Sequence, residues 1–208
     1  MNKQVIVIAI VIILFVSAVV GASFLLAGKG QQQPQDHTTH DESTFNSWIG
    51  KEAPNFTIDS FQGGKVSLDQ LRGKKVLLFF TEGVMCYPAC WNQMAELASD
   101  PRLNTDAIRT YSIVVDVAKN WGSAISQMPD LAKADVLYDT DSTVSKMYGM
   151  LKSTSSMHYG VYPGHAYVIV DSSGIVRYIL DDPRMAINND KLVVEIQNIQ
   201  TSTTSTAK

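Results

Sequence analysis

Cys86 and Cys90 are the only thiols in the 208-residue chain, and three residues separate them. A thiolate is the nucleophile in disulfide exchange and a ligand for soft metals, so a close pair points to redox chemistry or metal binding. Residues four apart share one helix face. A disulfide needs Cα atoms about 4.4–6.8 Å apart, and Cys90 falls within that reach if Cys86 sits in the loop or first turn of a helix. Cys86 is then nearer the positive end of the helix dipole, which favours thiolate over thiol. It is expected to be the more exposed nucleophile, with Cys90 resolving a mixed disulfide formed on it. The competing reading is a structural disulfide or two inert buried thiols.

The elements that must hold this pair are written on either side of it. Val76 to Phe80 is an unbroken apolar run, as expected of a strand buried on both faces. A short loop with Gly83 follows. Ala89 to Ala98 favours helix, with Trp91, Met94, Ala95 and Ala98 on one side, and Asp100-Pro101 ends it. Met85, Tyr87 and Trp91 are expected to pack or to shape access. Upstream, Pro54 to Ile58 reads as a short strand, Gly63-Gly64 as a turn, and Ser67 as the cap of a brief helical turn. Downstream, strands are expected over Ile113 to Val117 and Val136 to Tyr138, with helix over Ser123 to Leu131 and Ser142 to Met150. Ala166 to Val170 and Ile175 to Leu180 read as a hairpin about Ser172-Ser173-Gly174, and Asp190 as the cap of a closing helix through Ile199. Strands that alternate with helices imply a mixed α/β sheet covered on both faces.

Outside this region the composition changes. Val5 to Ala27 carries no charge and is almost wholly apolar. At 1.5 Å rise per residue it is long enough to cross a hydrocarbon core about 30 Å thick. A cleaved signal peptide has a shorter apolar centre, so a retained single-pass anchor is preferred to cleavage near Ala22. Lys3 and Lys29 flank the span, and the expected orientation leaves the domain on the extracytoplasmic side, where disulfides persist. The expected plan is a transmembrane anchor over residues 1–28, a disordered linker over 29–47, one domain over 48–199 and a disordered tail over 200–208. His37 and His40 lie in the linker, where a solvated role is preferred to metal binding. A net charge of −3 offers no basic footprint for nucleic acid.

The order of strand, cysteine helix, strand, helix, hairpin and helix resembles the thioredoxin fold. The segment APNFTIDSFQGGKVSLDQLRGKKVLLFF resembles the opening of the redoxin group, and HAYVIVDSSGIVRYI resembles its late strand-turn-strand. That group includes the alkyl-hydroperoxide-reductase/thiol-specific-antioxidant proteins and the membrane-tethered thiol-disulfide oxidoreductases. The resemblance spans roughly Gly50 to Ile199. It implies an enzyme that exchanges thiols and disulfides, with peroxide as a further candidate substrate. A thiol reductant or protein disulfide would be the partner, the membrane would be met through the amino-terminal helix, and no cofactor would be needed. Cys86, Cys90 and His165 are the implied site. The fold also weighs against the structural-disulfide reading of the pair.

Departures from the family pattern are specific. Cys86 and Cys90 are one residue further apart than in C-x-x-C oxidoreductases. Gly83 stands where typical peroxiredoxins carry Thr or Ser, with Thr81 further back. His165 occupies the late-strand place of the peroxiredoxin arginine or the thioredoxin cis-proline, and Pro163 lies two residues earlier. His165 reads either as a half-buried histidine tied to backbone or as a group facing the cysteine loop. In the second case it would stabilise a thiolate, shuttle a proton or bind a metal. Sco-type copper chaperones share the fold, an anchor, C-x-x-x-C and a later histidine. The alternative is therefore copper delivery, with Cys86, Cys90 and His165 as ligands. His158, before a glycine-rich turn, is a weaker candidate.

Overall fold

The computed structural model describes residues 46–204. Seven strands form one mixed sheet: β1 (Thr57–Ser60), β2 (Lys65–Ser67), β3 (Lys75–Thr81), β4 (Ile108–Val114), β5 (Val136–Tyr138), β6 (Ala166–Val170) and β7 (Val176–Asp181), in the spatial order β2-β1-β5-β4-β3-β6-β7. The helices are α1 (Ala89–Ser99), α2 (Ala118–Gln127), α3 (Thr143–Met147) and α4 (Asn189–Thr204). β3 pairs in parallel with β4 on one side and antiparallel with β6 on the other. Every residue of β3 is buried, as an apolar run in a sheet covered on both faces requires.

Side chains along β3 alternate between two cores. Leu77 and Phe79 pack with Met94 and Leu97 of α1, Trp121 of α2 and Leu192 of α4. Val76, Leu78 and Phe80 pack on the other face with Phe56, Val144 and Tyr148. Removing a side chain the size of Phe79 from water stabilises the fold by about 1.5–3 kcal/mol. The sheet is therefore a stiff platform whose centre ends at Thr81, directly before the cysteine loop.

Several boundaries differ from the sequence expectation. β1 begins at Thr57, because Phe56 turns into the core. β4 begins at Ile108, five residues ahead of Ile113. Its buried Thr110 and Ser112 look like loop residues, but Thr110 Oγ1 donates to the Leu103 carbonyl at 2.7 Å, so its burial leaves no hydroxyl unsatisfied. α2 starts at Ala118 despite Gly122, since burial of Trp121 outweighs weak local propensity. The 3-10 turn after Ser67 forms, yet the Ser67 side chain makes no capping hydrogen bond. α4 starts at Asn189, so Asp190 lies in its first turn. Among the described residues no helix is long and apolar enough to cross a membrane. The expected span Val5 to Ala27 and most of the linker lie outside the described residues.

Candidate active site

Gly83 decides how the chain leaves β3. Its φ is 69°, and a Cβ there would lie 1.8 Å from Asp116 Oδ2. Only glycine takes that backbone without strain and leaves room for the carboxylate. Asp116 follows β4 and uses the same Oδ2 to accept the Val84 amide at 2.8 Å. Burial raises its pKa, against the lowering effect of that amide. The Gly83 carbonyl accepts the Cys86 amide at 3.1 Å and the Trp91 indole Nε1 at 3.2 Å. A one-turn 3-10 segment, Gly83–Met85, thus delivers Cys86 to the start of α1, where the Cys90 amide donates to the Cys86 carbonyl at 3.0 Å.

Cys86 and Cys90 are joined in a disulfide with Cα atoms 5.4 Å apart. Both precede or enter the first turn of α1, where the helix dipole favours a thiolate once the bond opens. The expected exposure of Cys86 is corrected: it keeps only 3 % of its surface, against none for Cys90. Trp91 and Met185 close over the pair. Met185 Sδ lies 4.0 Å from Cys86 Sγ, and Tyr87, itself exposed, stacks edge-on against Trp91 at 4.9 Å.

His165, immediately before β6, is fully buried rather than half-buried. It faces the cysteine pair, but from the side of Cys90: Nδ1 lies 3.4 Å from Cys90 Sγ. Its Nε2 lies 2.7 Å from the Tyr167 hydroxyl and 3.2 Å from the Ala186 carbonyl. The ring packs edge-on against Phe79 at 4.7 Å. Burial lowers its pKa to about 4, against the raising effects of Asp182, the Ala186 carbonyl and Asp181, and the imidazole is neutral near pH 7. A cis peptide bond precedes Pro88 in the cysteine loop and none precedes Pro163, so His165 is not preceded by the thioredoxin feature.

Three further groups were not singled out by sequence. Glu82 is buried and accepts from the Met157 amide at 2.7 Å and the His158 amide at 3.1 Å, while its other oxygen meets His158 Nδ1 at 2.8 Å. His158 therefore holds the 153–164 segment to the cysteine loop from outside and does not reach the sulfurs. Asn188 donates to Asp182 Oδ2 at 2.8 Å and to the Ala186 carbonyl at 2.9 Å, and fixes the loop that carries Met185. Tyr167 lies on the same strand face as His165, two residues on, which is the period-2 signal that could have found it. Among the described residues no group of three or more His, Cys, Asp or Glu is arranged to hold a metal ion, and a closed disulfide offers no thiolate ligand.

The sequence and the fold have counterparts in known proteins. The model of the AhpC/TSA family matches residues 49–179. A Coxiella burnetii protein named as a bcp-type peroxiredoxin is 25% identical over 114 residues, which cover 50% of this chain and 67% of that protein. The fold is shared with the reduced 2-Cys peroxiredoxin of Plasmodium vivax, with TM-score 0.63 and 24% identity over 76% of this chain and 99% of that one. AhpC of Enterococcus faecalis superposes with TM-score 0.65 and 18% identity over 77% and 97%. The matched span begins ahead of β1, runs through Cys86, Cys90 and His165, and ends inside β7, so the chain belongs to the AhpC/TSA family.

Proposed function

We propose that this chain is a thiol-dependent oxidoreductase in which Cys86 and Cys90 alternate between disulfide and dithiol. The observation that carries this reading is the closed Cys86–Cys90 bond at the start of α1, with an imidazole against one of its sulfurs, inside the span matched to the AhpC/TSA family. In the reductive half, a thiolate from a thiol reductant bonds to Cys86 Sγ, the Cys86–Cys90 bond breaks, and its electron pair leaves on Cys90. A second reductant thiolate then bonds to the reductant's sulfur and frees Cys86 as thiolate. In the oxidative half, a protein disulfide takes the place of the reductant in reverse. With a peroxide, the Cys86 thiolate instead attacks one oxygen, the O–O bond breaks and water or alcohol leaves. Cys90 then attacks the resulting Cys86 sulfenic acid and expels its oxygen as water. The sulfurs carry the electrons, and no metal or organic cofactor enters the cycle.

Cys86 is the attacked sulfur in this reading, since Cys90 is wholly covered and backed by His165. Copper delivery is not retained, because no feature of the site favours it over exchange. The apolar run Val5 to Ala27 supports an anchor that holds the domain on the extracytoplasmic side. Protease added to intact cells, or to spheroplasts, reaches residues 29–47 if that orientation holds.

The chemical test combines stopped-flow oxidation of the reduced domain by hydrogen peroxide with exchange against a dithiol, in wild type and two variants. Cys90→Ser is expected to accumulate mixed disulfides on Cys86, and Cys86→Ser to accumulate few. Equal trapping by the two variants, or a wild type inert to both oxidants and dithiols, overturns the reading.

A further inference from the structure

The hydrogen bonds around the buried His165 ring favour one tautomer over the other. Asn188 Nδ2 donates to Asp182 Oδ2 at 2.8 Å and to the Ala186 carbonyl at 2.9 Å, so the orientation of its amide is fixed by two acceptors. The same nitrogen lies 3.3 Å from the Tyr167 hydroxyl; its two protons are engaged by those acceptors, and an amide NH2 has no lone pair to take the tyrosine proton. The Tyr167 O–H proton must then go elsewhere, and the acceptor at hand is His165 Nε2 at 2.7 Å. Tyr167 is fully buried, and a buried hydroxyl with no acceptor is costly. The competing donation, from Nε2 to the Ala186 carbonyl, has a longer contact of 3.2 Å. It would also leave the tyrosine proton stranded, whereas that carbonyl is already supplied by Asn188.

We infer that Tyr167 is a positioning residue for thiol exchange: it holds His165 as the tautomer that carries its proton on Nδ1 and directs that N–H at Cys90 Sγ. The inference rests on the proposed exchange chemistry for its consequence and on geometry alone for its content. When a thiolate bonds to Cys86 Sγ and the Cys86–Cys90 bond breaks, the electron pair leaves on Cys90. The Nδ1–H then donates to the new thiolate, and no proton is transferred. A hydrogen bond to a charged sulfur is stronger than one to a disulfide sulfur, so the contact tightens as the bond opens and favours the dithiol form. The ring does this as a neutral donor; the charges that act on it, Asp182 and Asp181, are carboxylates, with Asp182 bonded to Asn188 and Asp181 to the Ser155 amide. In the absence of the tyrosine proton, the tautomer with hydrogen on Nε2 becomes available through Ala186. Nδ1 would then turn a lone pair toward the thiolate and oppose its formation.

Nitrogen-15 NMR of histidine-labelled, oxidised protein tests the assignment directly. His165 Nδ1 is expected to show the shift of a protonated ring nitrogen and Nε2 that of a bare one, with the two exchanged in Tyr167→Phe. The disulfide–dithiol equilibrium is measured against a glutathione redox buffer on the same proteins. Tyr167→Phe is expected to move it about tenfold toward the disulfide, as loss of one charge-assisted hydrogen bond implies. His165→Gln, whose amide cannot be pinned by tyrosine in this way, is expected to make the further Tyr167→Phe change silent. An Nε2-protonated ring in wild type overturns the inference, and so does a Tyr167→Phe equilibrium equal to that of wild type. Wild-type NMR decides the matter even if the variant fails to fold. A wild type without exchange activity would defeat the proposed function while leaving the tautomer measurement intact.

Discussion

At the residue scale the site is a pair of sulfurs with unequal surroundings. Cys86 touches the thioether of Met185, and Cys90 touches an imidazole that burial keeps neutral. That imidazole gives a pH dependence with a definite sign. In the unfolded chain His165 takes up its proton near pH 6.5, but in the folded protein only near pH 4. Between those values the unfolded state binds more protons, so stability falls as pH falls through the window and the loss is complete below it. The full loss is about 3 kcal/mol. Urea unfolding of oxidised wild type and His165→Gln at pH 7, 5.5 and 4 should show this as a steady loss of wild-type stability relative to the variant as pH falls. Parallel curves would mean that the folded ring takes up its proton where the unfolded one does. The pair itself was legible in the sequence, because two lone cysteines at a strand-to-helix junction have few other uses. Their asymmetry was not. That His165 backs Cys90 rather than Cys86 depends on how β6 registers against β3, and one-residue changes of register move a side chain to the other face.

At the element scale, the cysteine loop is held from below by Asp116 and from the side by Glu82. Glu82 is the stronger clamp, since one carboxylate gathers two amides and a histidine from the 153–164 segment. Glu82→Ala leaves the Met157 amide without its acceptor and the His158 amide with only Ser156 Oγ at 3.0 Å, and should cost about 2 kcal/mol. Hydrogen exchange at the Met157 and His158 amides is expected to accelerate at least about tenfold, while amides of β3 keep their protection. Unchanged exchange at those two amides would show that the segment is held by other contacts. Strands with continuous apolar runs, β3, β5 and β6, were readable from sequence almost to the residue. β4 and α2 were not, since Thr110, Ser112 and Gly122 look like loop residues unless their burial and local hydrogen bonds are known. The clamp was equally hidden: Glu82 and His158 are 76 residues apart, and nothing local marks their contact.

At the scale of the whole molecule, the question is whether the fold survives the opening of its own disulfide, as a cycling enzyme requires. The bond joins residues only four apart. In the chain-entropy view a cross-link stabilises by closing a loop in the unfolded state, and a loop this short is worth about 2 kcal/mol at most, well below that of a long one. The two cores flanking the sheet are far larger contributors. They hold Leu77, Phe79, Trp121 and Leu192 on one face and Leu78, Phe80, Val144 and Tyr148 on the other. None of those side chains needs the bond to be buried. Reduction should therefore lower Tm by about 4–8 °C, the shift that 2 kcal/mol produces in a domain of this size, and leave a single cooperative transition. Calorimetry of the oxidised and dithiol-reduced protein over residues 46–204 reads this directly. A reduced protein without a cooperative transition would show that the disulfide staples the fold, and would return Cys86 and Cys90 to a structural role. A modest shift with unchanged cooperativity is what a disulfide placed for exchange must give, because each turnover passes through the reduced state and the platform beneath it has to persist.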